Sequence, residues 1–214
     1  MILSGIIIVE PMKPTVPETD DELLMRIQSG DEQAFMALYR RRQAALCRFA
    51  LHMSGSMSVA EDVVQEVFLS LLREDCGFDP DRGTLSGYLF GIARKLVLRQ
   101  MERGRVDVAL DGDGDDGLPQ LAVTDDPLID LTKREGIETL RRAVHALPRR
   151  YREVVVLCDL EEVDYADAAV ALGCPIGTVR SRLHRARGLL LEKLSQDRSP
   201  RPAVNGWKPV RCLS

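Results

Sequence analysis

Val59, Val63, Val64, Val67, Phe68, Leu71 and Leu72 recur at spacings of three, four and one, which places them on one face of a helix. Glu61, Asp62, Gln65 and Glu66 fall on the other face. Upstream, Thr19-Asp20-Asp21-Glu22 reads as an N-cap and acidic first turn before Leu23, Leu24 and Ile27. A second cap, at Ser29-Gly30-Asp31-Glu32, precedes Phe35, Leu38 and Tyr39. Downstream of a Gly/Pro-marked break (Gly77 to Gly83), Leu89, Ile92, Ala93, Leu96 and Val97 predict another amphipathic helix. Its polar side carries Arg94, Lys95, Arg99, Arg103 and Arg105. Helical periodicity resumes near Leu131, runs through Leu140, Val144 and Leu147, breaks at Pro148 and continues through Val154, Val155 and Leu157.

The segment from Tyr165 to Arg187 is the most informative. Gly173 separates a short apolar helix from a second one, as a helix-turn-helix requires of a residue that must tolerate positive φ in its tight turn. Small Ala169 stands four residues before it, where bulk would hold the helices apart, and Val179 six residues after it seals the second helix onto the first. That second helix, from about Ile176 to Leu191, carries Arg180, Arg182, Arg185 and Arg187 with Thr178, Ser181 and His184 among them. Arginines can fork onto guanine or pair with phosphate, and hydroxyls fix register, so these seven residues form a candidate major-groove surface. The bland reading, a solvated charged face, does not account for the Ala-Gly-Val spacing beside them.

Composition changes between Gly104 and Asp130. Asp111, Asp113, Asp115, Asp116, Asp125, Asp126 and Asp130 sit among glycines and prolines with few large apolar residues, which predicts a flexible acidic linker. Its DGDGDDG run does not fit a calcium loop, because the glycine falls one place late and position twelve is Ala122. The apolar start, Met1 to Val9, is too short to span a bilayer and lacks preceding basic residues, and the prolines from Pro11 to Pro17 mark a disordered leader. The chain therefore divides into a leader (1–20), a helical domain (21–105), a linker (106–130), a second helical domain (131–195) and a flexible tail (196–214). The expected fold class is all-α, two small helical domains on a flexible acidic linker.

Of 214 residues, 45% are hydrophobic and 5% aromatic, which suits a helical globular protein better than a sheet-rich one. A net charge of −4 does not advertise nucleic-acid binding. The basic footprint is local: from Pro175 to Leu194 five basic residues stand against Glu192 alone. Five cysteines without CxxC spacing support neither a zinc site nor a disulfide framework, and fit a reducing cytoplasm. Cys158 and Cys174, with apolar neighbours, read as structural thiols.

GCPIGTVRSRLHRAR resembles the promoter-reading region 4 of extracytoplasmic-function sigma factors, and AEDVVQEVFLSLL (Ala60 to Leu72) resembles their region 2 helix that grips the polymerase clamp. GTLSGYLFGIARKLVLRQMERGR (Gly83 to Arg105) is similar to the segment that melts and reads the minus-10 element. The resemblance implies a factor that binds core RNA polymerase and directs initiation at promoter DNA of a stress- or signal-responsive regulon, with an anti-sigma factor as a further partner. It implies polymerase contacts at Asp62, Gln65 and Glu66. Minus-10 contacts would lie at Tyr88, Arg94, Lys95, Arg99 and Arg103. The seven residues of the second helix, Thr178 to Arg187, would read the minus-35 element. Tyr88 stands where many relatives carry Trp, Lys95 where many carry Asn, and Ala168 where Ile is frequent. The acidic linker would thread near the polymerase active-site and RNA-exit channels.

Other classes fit less well. No Walker loop, HExxH, nucleophile elbow or Cys/His cluster is present, so no catalytic residue, metal, cofactor or small-molecule substrate is assigned. A conventional regulator using the same helix-turn-helix would need a sensor or dimerisation domain, and the arginine-rich helix speaks against a protein that only sequesters a partner. Direct membrane insertion is not expected.

Overall fold

A computed structural model describes residues 18–73, 76–108 and 131–197, all of whose regular structure is helical. The leader up to residue 17, the acidic stretch 109–130 with its DGDGDDG run, and the tail beyond 197 lie outside the described residues. Helix α1 (Asp20–Gln28) starts on Thr19, whose hydroxyl accepts from the Glu22 N–H while the Glu22 carboxylate accepts from the Thr19 N–H at 2.7 Å. This reciprocal cap starts the helix one residue inside the expected leader. Helix α2 (Glu32–Ser54) is capped by Asp31, which accepts from Gln33 and Ala34, and it ends on Gly55 at φ 77°. Ser56 caps α3 (Met57–Leu71), a short 3-10 turn spans Pro80–Arg82, and Thr84 caps α4 (Leu85–Val108) through the Gly87 N–H. Helix α4 therefore runs past the expected domain boundary at 105.

These four helices form a bundle around Leu38, Phe49, Met53, Val63, Val67, Leu85 and Leu89, each at most 1% exposed. Full burial of such a side chain contributes about 1.5–3 kcal/mol. The periodicity of α3 holds for Val63, Val64, Val67, Phe68 and Leu71, which are buried, while Leu72 is 55% exposed.

The second unit comprises α5 (Leu131–His145), α6 (Arg149–Val155), a π turn (Val156–Leu160), α7 (Tyr165–Leu172) and α8 (Ile176–Asp197). In the π turn the Glu161 N–H reaches back to the Val156 carbonyl at 2.9 Å, one residue further than an α-helix allows. Leu147, Val154, Leu157, Ala168, Val179 and Leu183 fill this unit's core. Ala168 is fully buried, whereas Ala169, the position expected to sit at the closest approach, is only half-buried.

The two units do not stand apart. Their cores are continuous, and α7 lies along α4. The sequence predicts two helical domains joined by an acidic linker; the structure has the two helical units and packs them against each other, with small residues on α4 and paired charges around them at the contact.

Candidate promoter and polymerase surfaces

The turn between α7 and α8 is built on Gly173, at φ 62° and ψ 39°. The Cys174 N–H caps the preceding helix by donating to Ala169 at 3.1 Å. A Cβ at Gly173 would meet nothing within 4 Å, so the glycine is required for its backbone conformation and not for space. Pro175 then opens α8, its carbonyl accepting from Thr178 at 2.8 Å and Val179 at 3.2 Å. Val179, Leu183 and Ala186, at spacings of four and three, are buried against the rest of the unit.

That inward stripe fixes what faces outward. Arg180, Ser181, His184 and Arg185 are exposed on one face. The Arg180 guanidinium lies 5.9 Å from the centre of the Tyr165 ring, and the Ser181 hydroxyl donates to the Thr178 carbonyl at 3.1 Å. Arg185 hydrogen-bonds the Tyr151 phenol and holds it below its ordinary pKa. Thr178 and Arg182 are half-buried. Arg187, though exposed, makes a bidentate pair with Asp159 at 2.6 and 3.1 Å, a carboxylate the sequence did not single out. The expected minus-35 set is therefore graded, with four residues presented, two partly withdrawn and one engaged.

On α4, Lys95, Arg99 and Arg103 recur every fourth residue and are exposed, so they form one cationic stripe. Two other members of the expected minus-10 set stand differently. Arg94 is half-buried and pairs with Glu153 of α6 at 3.0 Å, its partner carboxylate being only 2% exposed. Tyr88 is half-buried, packs on Phe78 with ring centres 5.6 Å apart, and donates its hydroxyl to the Cys76 carbonyl. In this packing the Tyr88 ring lies against the bundle's core, partly exposed.

Asp62 and Gln65 are exposed on α3, and half-buried Glu66 lies 3.4 Å from Arg73. Beside them opens a groove of about 680 Å³ between α2 and α3, floored by Phe35, Tyr39, Val64 and Phe68 and edged by Met57 and Leu69. Leu69 is 46% and Met57 40% exposed. The sequence could have shown Leu69, since it falls off the buried face of α3; the groove itself joins two helices and has no linear signal.

Burial raises the Cys158 thiol to about 11, which suits the structural reading of that cysteine. Among the described residues no group of His, Cys, Asp and Glu could hold a metal ion, and no helix is long and apolar enough to cross a membrane.

The fold and these surfaces define a helix-turn-helix protein with a second, charge-striped helical unit. Residues 38–106 match sigma-70 region 2 and residues 137–190 match sigma-70 region 4. The extracytoplasmic-function sigma factor SigE of Mycolicibacterium smegmatis is 34% identical over 178 residues, covering 80% of this chain and 66% of its own. The sigma-H factor of Pseudomonas aeruginosa is 31% identical, covering 79% of this chain and 91% of its own. Among solved structures, RpoE in complex with the anti-sigma factor NepR from Bartonella quintana aligns with a TM-score of 0.61 at 31% identity, covering 77% of this chain and 98% of that one. CnrH in complex with the cytosolic domain of CnrY aligns with a TM-score of 0.62 at 25% identity, covering 84% and 99%. The chain belongs to the extracytoplasmic-function sigma factors of the sigma-70 family. It is a sigma factor, the component that binds core RNA polymerase and directs promoter-specific initiation of transcription.

Proposed function

We propose a division of labour among three surfaces. The α3 face with Asp62, Gln65, Glu66 and the neighbouring apolar groove docks on polymerase, combining charge complementarity at the rim with an apolar anchor. The α4 stripe of Lys95, Arg99 and Arg103 engages the phosphates of the minus-10 element. The outward face of α8, led by Arg180, Ser181, His184 and Arg185, reads the minus-35 element from the major groove. Arg94, Tyr88 and Arg187 join these sets once their present contacts are exchanged for DNA, and half-buried Thr178 and Arg182 complete the minus-35 set.

The observation that carries this reading is the alternation along α8: Val179, Leu183 and Ala186 are buried, so the residues between them that can fork onto bases are forced outward. The factor works in the cytoplasm on a stress- or signal-responsive regulon and contributes no reaction of its own, since the chemistry belongs to polymerase. An anti-sigma factor is its expected antagonist, supported by the solved complexes of RpoE with NepR and CnrH with CnrY.

Run-off transcription with purified core polymerase and a pool of genomic promoters tests the assignment. Wild type should initiate at discrete start sites, and Arg180→Ala/Arg185→Ala should lose them while still binding core polymerase. Unchanged start sites in that variant would remove α8 from promoter reading.

A further inference from the structure

Arg180, Arg185 and Arg187 of α8 are each held by a side chain from an element that precedes it. Arg187 donates from Nε and Nη2 to the two carboxylate oxygens of Asp159, at 3.1 and 2.6 Å. Asp159 stands in the π turn Val156–Leu160, its side chain 27% exposed against 55% for Arg187, so the pair lies at the surface. Tyr165, the first residue of α7, lies between two arginines: its ring sits 5.9 Å from the Arg180 guanidinium and its phenol hydrogen-bonds Arg187. Arg185 is held by the phenol of Tyr151. Arg180 and Arg185 thus rest on neutral rings and keep their charge available, whereas Arg187 faces a full negative charge. Arg187 also stands about 16 Å along α8 from Ile176, at 1.5 Å per residue. The N-terminal residues of such a helix meet base edges, so a cation this far along it meets phosphate.

We infer that Asp159 is a positioning residue that sets promoter specificity: its carboxylate stands in for a DNA phosphate on Arg187 and withholds that cation from non-promoter duplex. This role rests on the assignment of α8 to the minus-35 element proposed above. A carboxylate and a phosphate both accept two parallel N–H groups from a guanidinium, so Asp159 and the DNA backbone compete for the same fork. Non-promoter binding is driven by the release of counterions from phosphates, each neutralising cation adding about 0.9 to the salt slope. A cation already neutralised within the chain releases none, and Asp159 itself repels the backbone. On non-promoter DNA the exchange has no neighbouring contact to favour it. On the promoter, base contacts by Arg180, Ser181, His184 and Arg185 hold α8 in register. The phosphate opposite Arg187 is then fixed at bonding distance, and the exchange becomes intramolecular. Asp159 therefore lowers affinity for both duplexes and lowers it more for the wrong one, which is what discrimination requires.

Asp159→Asn keeps the size of the side chain and one acceptor for Arg187 while removing the charge. Holoenzyme assembled from purified core polymerase and the full-length variant should bind a non-promoter duplex about threefold to tenfold more tightly than wild-type holoenzyme, with a salt slope steeper by about 0.7–0.9. Promoter affinity should rise less, so the ratio of the two falls. Asp159→Glu should restore the wild-type ratio and slope. The double variant Asp159→Asn/Arg187→Gln should abolish the gain, because the freed cation is gone. A purely structural pair would instead lose melting temperature in Asp159→Asn and weaken binding to both duplexes alike. A wild-type ratio and slope in Asp159→Asn holoenzyme, a gain that persists in the double variant, or failure of Asp159→Asn to assemble with core polymerase would each overturn the role of Asp159. If Arg180→Ala/Arg185→Ala holoenzyme keeps its promoter preference, the reading of α8 falls and this role with it. If that variant loses the preference while Asp159→Asn behaves as wild type, the role of Asp159 alone falls.

Discussion

Arg152 of α6 reaches across to α2 and donates to the carbonyl of Met53, with its guanidinium also held by the carbonyls of His145 and Leu147. It is 9% exposed, and burial lowers its pKa from the usual guanidinium value. A cation this deep is held by these oriented carbonyls together with the charge of neighbouring Glu153, so its removal leaves carbonyls without donors in a dry setting. Arg152→Ala should cost about 2–3 kcal/mol, read as a lower urea midpoint in equilibrium unfolding. A loss below about 0.5 kcal/mol would show that water takes its place.

The same junction carries two histidines held neutral. Burial, then Arg141, Arg48 and His145, lowers His52 to about 4, and burial with Arg152 lowers His145. A histidine depressed in the fold takes up protons more readily once the chain unfolds. Its contribution is complete above its unfolded pKa of about 6.5 and is lost as pH falls towards its folded value. Glu161, raised by burial against the opposing effect of Arg48, works the other way and regains stability as pH falls through the carboxylate range. Stability should therefore drop most steeply from about pH 6.5 to 5, by roughly 1–2 kcal/mol after allowance for solvent screening. Urea midpoints across that range check it, and His52→Gln should flatten the slope.

Leu69 offers a way to separate binding from folding. Because its side chain is 46% exposed beside the α2–α3 groove, Leu69→Asp should change stability by no more than about 0.5 kcal/mol. Affinity for core polymerase should nevertheless fall by about tenfold or more, measured by competition with a labelled sigma factor. Equal loss of affinity and melting temperature would place Leu69 in the bundle instead.

Arg99 and Arg187 should differ in their dependence on salt. If Arg99 neutralises a phosphate, Arg99→Ala should lower the salt slope of promoter binding by the holoenzyme by about 0.7–0.9. Arg187 already spends its charge on Asp159 in the free chain. Arg187→Ala should change that slope less and alter folding stability by less than about 1 kcal/mol, as exposed pairs do.

Gly173→Ala isolates conformation from crowding, since nothing lies within 4 Å of the added methyl while φ is 62°. It should cost about 1–2 kcal/mol, seen as a fall in the melting temperature of the second unit.

Local chemistry was legible in the sequence. Thr19 and Asp31 cap α1 and α2 because a short polar side chain before an apolar-periodic run has few other uses, and Gly173 breaks the helix where predicted. The polar face of α3 follows from spacing alone. What the sequence could not disclose depends on residues far apart. Arg94 is 59 positions from Glu153, so it reads as one more cation on a basic face. Gly87 and Gly91 read as weak points in a helix, because their purpose appears only when a second backbone comes within van der Waals contact. Tyr88 belongs to the same class: a ring at helical spacing serves packing or stacking equally well until its neighbour Phe78 is placed.

The π turn at Val156–Leu160 introduces one residue more than an α-helical turn would hold. Each residue of helix advances the chain by about 100° around its axis, so a single deletion within this turn would regularise it and rotate everything that follows relative to α6. Asp159 would swing away from Arg187, and the whole reading head would point elsewhere. The number of residues here acts as an angular setting, and insertions or deletions at this point are a route by which related chains could diverge in aim without changing a single residue of α8.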